Sequence, residues 1–214
     1  MKNLITEFNN KIKVTNLSKK QQMVLIASLE LFSELGFENT KTNDIAKRAN
    51  VSEGTVYSFF KTKEGILNAI VSKFMDEIIP NIIFEFSDKN FINNYSSFSE
   101  FIYTIVKDRL IFIQENLLQL KIIFQRILID KNLVKKIEKI IVDGILQSIS
   151  SILNYYKKNN IIIDLPNERI VRYLFSLTLS YMIPQMIMEE NRELDINEVT
   201  DEIVEFLTRA LLIQ

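Results

Sequence analysis

The sequence predicts an all-α protein, on three observations. Only 4 of its 214 residues are Gly and 3 are Pro, too few for the many turns of an all-β fold. Apolar residues recur at helical spacing along most of the chain. Ser and Thr stand just ahead of several of these stretches, with Glu, Asp or Gln in the turn that follows, as helix caps do. A composition of 47% hydrophobic and 25% charged residues is that of a folded globular chain.

Taken in order, residues 1–17 are polar and irregular and read as a flexible N-terminal arm. Ser18 opens a capping box with Gln21, and Val24, Ala27, Ser28, Leu31, Phe32 and Leu35 form one face of a helix that Gly36 stops. Two short helices follow, one capped by Thr42 and the other by Ser52, joined at Asn50-Val51 in the helix-turn-helix pattern. Thr62 caps a fourth helix that runs towards Pro80. A helix-turn-helix domain is therefore expected over residues 18–75. Long amphipathic helices are expected at about 97–114, 117–128, 130–158, 166–190 and 196–213. Residues 76–214 read as a second, larger helical domain, bringing the total to about nine helices.

Composition narrows the function. The chain has no Cys and no His, which removes thiolate metal sites, the usual zinc ligand and the Ser-His and Cys-His nucleophile pairs. With no paired carboxylates in evidence either, no enzyme, metal or cofactor is expected. The N-terminus lacks the apolar core of a signal peptide, and no apolar run approaches the ~18 residues that cross a bilayer, so a cytoplasmic protein without a membrane partner is expected. Charge is uneven: residues 1–75 carry 11 Lys/Arg against 7 Asp/Glu, and residues 76–214 carry 15 against 20. A basic head on an acidic body suits a protein that binds nucleic acid through its head.

The stretch VSEGTVYSFFKTKEGIL, from Val51 to Leu67, carries the chemistry. A helix entering the major groove brings its first turn closest to the duplex, where free amides and the positive end of the helix dipole meet phosphate. Gly54 permits close approach there, Ser52 caps and donates, and Thr55 and Ser58 are short polar groups for base edges. Tyr57 offers a flat face with a hydroxyl. Lys61 and Lys63 add charge, while Val56 and Phe60 are expected to pin the helix inward.

The run TNDIAKRANVSEGTVYSFFKTKEGIL resembles the DNA-binding signature of the TetR (tetracycline-repressor) family, roughly T-x-x-I-A-x-x-A-x-V-S-x-G-x-x-Y-x-[HY]-F-x-x-K-E-x-L. Thr42, Ile45, Ala46, Ala49, Val51, Ser52, Gly54, Tyr57, Phe60, Lys63, Glu64 and Leu67 match it. The resemblance covers about Gln21 to Phe74. It implies an all-α homodimer that binds double-stranded DNA through its heads and is released when an effector binds the body. Carried over by position, Thr42, Ser52, Gly54, Thr55, Tyr57, Ser58, Phe59 and Lys63 form the DNA-contacting set. Phe59 departs from the usual His or Tyr, so a phosphate hydrogen bond is missing at that position.

For the body, Phe101, Phe112, Phe124, Tyr155, Tyr181 and Met182 are expected to line a cavity for a small apolar or amphipathic ligand. Arg126 and Arg109 either pair an anionic group or bridge to Asp108, Glu115 or Asp130. Val199, Ile203, Phe206, Leu207 and Ala210 on the last helix, with Leu174 and Thr178 on the one before, suit a four-helix dimer seam. The leading expectation is a ligand-responsive repressor that binds a palindromic operator. Its alternative is a DNA-bound structural or cell-division factor with a protein partner and no small-molecule effector.

Overall fold

Residues 3–88, 95–188 and 194–213 are described by a computed structural model, with side chains described except at 84–88, 141–143 and 186–188. They form helices α1 (Leu4–Lys13), α2 (Lys19–Leu35), α3 (Thr42–Arg48), α4 (Glu53–Phe60) and α5 (Lys63–Lys73). A π-helical turn, Phe74–Ile78, runs from α5 into α6 (Ile79–Asp88). Then come α7 (Phe98–Glu115), α8 (Leu117–Ile129), α9 (Lys131–Lys158), α10 (Asn167–Met188) and α11 (Ile196–Leu211). The all-helical expectation holds. Among the described residues, extended pairing is confined to one bridge, Ile162 with Leu212.

The chain divides into two compact units, Met1–Asn81 with Asn116–Lys136, and Ile82–Glu115 with Ile137–Gln214. In the first, α2 is the central post. Ser18 and Gln21 close its capping box, and Gly36, at φ 80°, ends it in a conformation that L side chains avoid. Val24, Leu25, Leu29 and Phe32 are buried, and α1, α3, α4, α5 and α8 pack around them.

The N-terminal segment is corrected here: it is a docked helix, not a flexible arm. Leu4, Phe8 and Ile12 lie four apart and so on one face, and all three are buried. Phe8 stacks on Phe74 at the start of the π turn, with ring centroids 5.2 Å apart. The Leu4 N–H donates to Asn116 Oδ1 at 2.7 Å, a contact spanning 112 residues. Gln119 Nε2 donates to Ser33 Oγ at 3.2 Å. These two polar contacts and the buried Ile122 and Ile123 explain why α8 groups with the N-terminal helices and not with the rest of residues 76–214.

In the second unit, α7 packs against α10 and α11. Tyr95, Phe98, Phe101 and Tyr156 form an aromatic cluster with centroids 5.2 to 6.2 Å apart. Asp195 caps α11 by accepting from the N–H groups of Asn197 and Glu198.

Candidate nucleic-acid interface

Helices α3 and α4 meet at the turn Asn50-Val51-Ser52. Asn50 adopts φ 51°, a left-handed conformation that Asn tolerates better than most residues. The Val51 N–H reaches back to the Ala46 carbonyl at 3.0 Å. Ile45, Ala46, Ala49 and Val56 are buried, so the apolar face of both short helices holds them on the first unit and leaves the first turn of α4 in solvent.

Ser52 caps α4 as expected. Its Oγ accepts from the Thr55 N–H at 3.2 Å and shares a hydrogen bond with Thr55 Oγ1 at 2.8 Å. The Thr55 hydroxyl is thereby engaged, and the residue is half-buried. Thr42 does not cap. Lys41 holds the N-cap position of α3, and Thr42 Oγ1 instead donates to Glu53 Oε1 at 2.6 Å and lies 3.1 Å from the Tyr57 hydroxyl. This small network braces α3 against α4 and fixes Tyr57, which remains 46% exposed. Ser58 is exposed, whereas Phe59 is only partly so, edge-on to Phe60 with centroids 6.3 Å apart.

Gly54 bears directly on the interface. A Cβ built there would meet only Ser52 Oγ, at 3.9 Å, an ordinary contact. The fold therefore has no need of glycine at this position, although glycine costs a helix interior up to about 1 kcal/mol relative to alanine. The exposed backbone at Gly54 is thereby left open to close approach from outside the chain. At Gly65 the reverse holds: a Cβ would fall 2.1 Å from the Phe60 carbonyl oxygen, so the fold itself requires glycine.

Lys63 is corrected as a phosphate contact. Its ammonium donates to the carbonyls of Phe37, Glu38 and Thr40 at 2.7, 3.2 and 3.1 Å, and it lies 4.4 Å from the centre of the Phe37 ring. Three donors on three carbonyls exhaust an ammonium. Lys63 ties the turn after α2 to the start of α5. Arg48 is likewise a tie, to Glu30 at 3.4 Å and Glu34 at 3.0 Å, and its hydrogen bond holds the Glu34 carboxyl below the usual range.

Sequence reasoning placed the basic corner between α4 and α5, with Thr62 as the cap of α5, but missed its backbone conformation. Lys61 has φ 63° and ψ −46°, and the Thr62 N–H reaches the Phe60 carbonyl at 2.7 Å. That is a γ-turn of the strained kind, in a region that costs roughly 1–3 kcal/mol for a non-glycine residue. Beside it lies an open depression of about 480 Å³ whose lining includes Lys41, Thr42, Tyr57, Lys61 and Thr62. The sequence signal for this conformation is the glycine at position 65.

The expected body residues are not drawn into one group. Phe124 and Arg126 fall in the first unit, and the Arg126 Nε is buried without a hydrogen-bond partner among the described residues. Phe101, Phe112, Tyr155, Tyr181 and Met182 fall in the second. Phe101 and Met182 are fully buried, and Phe112 is buried beneath the Arg109 guanidinium at 5.3 Å. The Tyr181 hydroxyl donates to Glu202 Oε2 at 2.8 Å. Tyr155, 60% exposed, is corrected as a cavity-lining residue. Arg109 pairs with Asp108, one of its two expected roles.

Five of the seven seam residues also turn inward. Leu174, Thr178, Val199, Ile203 and Leu207 are buried within the single chain, and Thr178 Oγ1 donates to the Leu174 carbonyl at 2.8 Å. Their stripe is the face that α10 and α11 give to their own core. Phe206 and Ala210 point to solvent.

A braced pair of short helices with an exposed, capped first turn, carried by an all-helical chain, defines a helix-turn-helix protein. Residues 24–70 match the profile of the bacterial regulatory proteins of the tetR family. Over 70 residues it is 31% identical to the fatty acid metabolism regulator protein of Bacillus subtilis, a match covering 33% of this chain and 36% of that protein. Across the first curated relatives the chain spans only 23% to 36% of their length. Whole-chain likeness is to folds. The transcriptional regulator FadR from Bacillus subtilis, solved with stearoyl-CoA, has a TM-score of 0.58 at 21% identity, over 87% of this chain and 96% of that one. The TetR-family regulator PfmR from Thermus thermophilus has a TM-score of 0.61 at 18% identity, over 87% and 97%. No described helix is long and apolar enough to cross a membrane.

Proposed function

We propose that this protein is a ligand-responsive transcriptional repressor that binds a palindromic operator as a homodimer and leaves it when an amphipathic, largely apolar effector enters the body. The observation that carries the reading is Gly54, a glycine the fold does not need, on the solvent-facing first turn of α4. In this reading α4 lies in the major groove. Gly54 and Ser52 approach the sugar-phosphate backbone, Ser58 and the Thr55 methyl meet base edges, and the face of Tyr57 packs along a strand. Thr42 acts through Tyr57, and Phe59 supplies apolar contact where other members hydrogen-bond.

The dimer seam is assigned to the outer face of α11, where Phe206 is exposed. An aromatic exposed on a helix face suits a two-fold interface, since each copy presents the same side chain. The stearoyl-CoA held by the Bacillus subtilis protein of similar fold motivates the effector class.

Selection from random double-stranded DNA by the full chain tests the reading. The recovered sequences are expected to share an inverted repeat, to bind a dimer, and to be released by stearoyl-CoA or a shorter acyl-CoA in fluorescence anisotropy. Tyr57→Ala is expected to weaken binding at least tenfold with the dimer intact. Unchanged affinity in that variant overturns the assignment of α4.

A further inference from the structure

The α4–α5 corner holds a basic residue that the family pattern does not assign to DNA, in a backbone conformation the chain adopts against local preference. Lys61 is the central residue of the γ-turn and exposed; its N–H donates to the Tyr57 carbonyl at 2.9 Å, but its ammonium has no hydrogen-bond or ion-pair partner among the described residues. Its neighbour Lys63, which the motif marks for phosphate, is committed to three carbonyls. The turn carries a second requirement: it brings the Phe60 carbonyl to where a side chain at position 65 would begin, and glycine stands there. Two positions four apart thus accommodate one conformation whose product is an outward ammonium beside the depression at Tyr57 and Thr42.

We propose that Lys61 is the phosphate-binding cation of this interface in place of Lys63, and that the γ-turn with Gly65 holds it there. The proposal rests on the DNA-binding reading above. Glu38 and Glu64 also line the depression, so the site favours the backbone of a duplex passing along its rim over a free anion inside it.

The test measures the salt dependence of binding by the full-length dimer to its selected DNA. Each phosphate contact contributes about 0.9 to the slope of log affinity against log salt, so losing one per subunit reduces the slope by about 1.8. Lys61→Gly, which the turn accommodates, is expected to show that reduction and at least a tenfold weaker affinity at 0.15 M salt without a lower Tm. Lys61→Arg is expected to keep the slope. Lys63→Met is expected to lower Tm and leave the slope unchanged. A Lys61→Gly protein with wild-type slope and affinity overturns the proposal, as does a Lys63→Met protein that loses the 1.8. If the wild-type protein selects no DNA, the reading of the interface itself fails, a result distinct from either.

Discussion

At the residue scale, two glycines eleven positions apart have opposite explanations, and the space around each one distinguishes them. Gly65 faces the Phe60 carbonyl, so its cause is internal. Gly54 faces solvent, and in the proposed reading its cause is external. Gly54→Ala is therefore expected to raise stability by about 0.5 kcal/mol, read from denaturant unfolding, because alanine is the better helix former. The same variant is expected to bind selected DNA at least tenfold more weakly. A stabilised variant with full affinity would remove the reason given for the glycine. Lys63 shows a different limit. Its spacing from Phe60 and Glu64 fits the family motif, but its ammonium points at three carbonyls some 23 to 26 residues earlier, which no local pattern reveals.

Among the elements, α1 is the one the sequence concealed. NNKIK and the surrounding polar residues hide a three-residue apolar stripe, Leu4, Phe8 and Ile12, too short to stand out as a periodicity. A ten-residue helix has little stability alone and forms because tertiary contacts hold it. Those contacts are the Phe8–Phe74 stack and the Asn116 side chain, which caps a helix 112 residues away in place of its own. Phe8→Ala is expected to destabilise the protein by about 3–5 kcal/mol, the range for removing a buried aromatic ring. Amide exchange should speed most in α1 and the π turn. Uniform protection in that variant would mean that α1 contributes little to the first unit. By contrast the starts of α2, α4 and α5 were legible to within a residue, because each begins at a side chain that satisfies an orphan N–H locally.

For the whole molecule, the apolar positions of α10 and α11 were legible but their direction was not. Val199, Ile203, Leu207 and Leu211 lie four apart on one face, and Phe206 and Ala210 lie about a quarter-turn away on another. A single broad stripe covers both faces. Ile203→Ala is accordingly expected to cost about 2–5 kcal/mol of folding stability, as for other buried Ile side chains. Phe206→Glu is expected to leave folding nearly unchanged and to weaken self-association at least tenfold in sedimentation equilibrium. Normal self-association of Phe206→Glu would move the seam elsewhere.

What the sequence determined by itself is therefore local: the all-helical class, the boundaries of most helices, and the helix-turn-helix with its capped and glycine-bearing first turn. Caps, periodicity and turn residues act over three to eight positions, and they are written in order along the chain. Tertiary structure alone decided that Leu4–Lys13 docks, that α8 joins the N-terminal helices, which lysine ammonium stands unpaired at the α4–α5 corner among the described residues, and which side of α11 meets solvent. Each of these depends on a partner tens of residues away, and the identity of such a partner is set by packing and not by spacing.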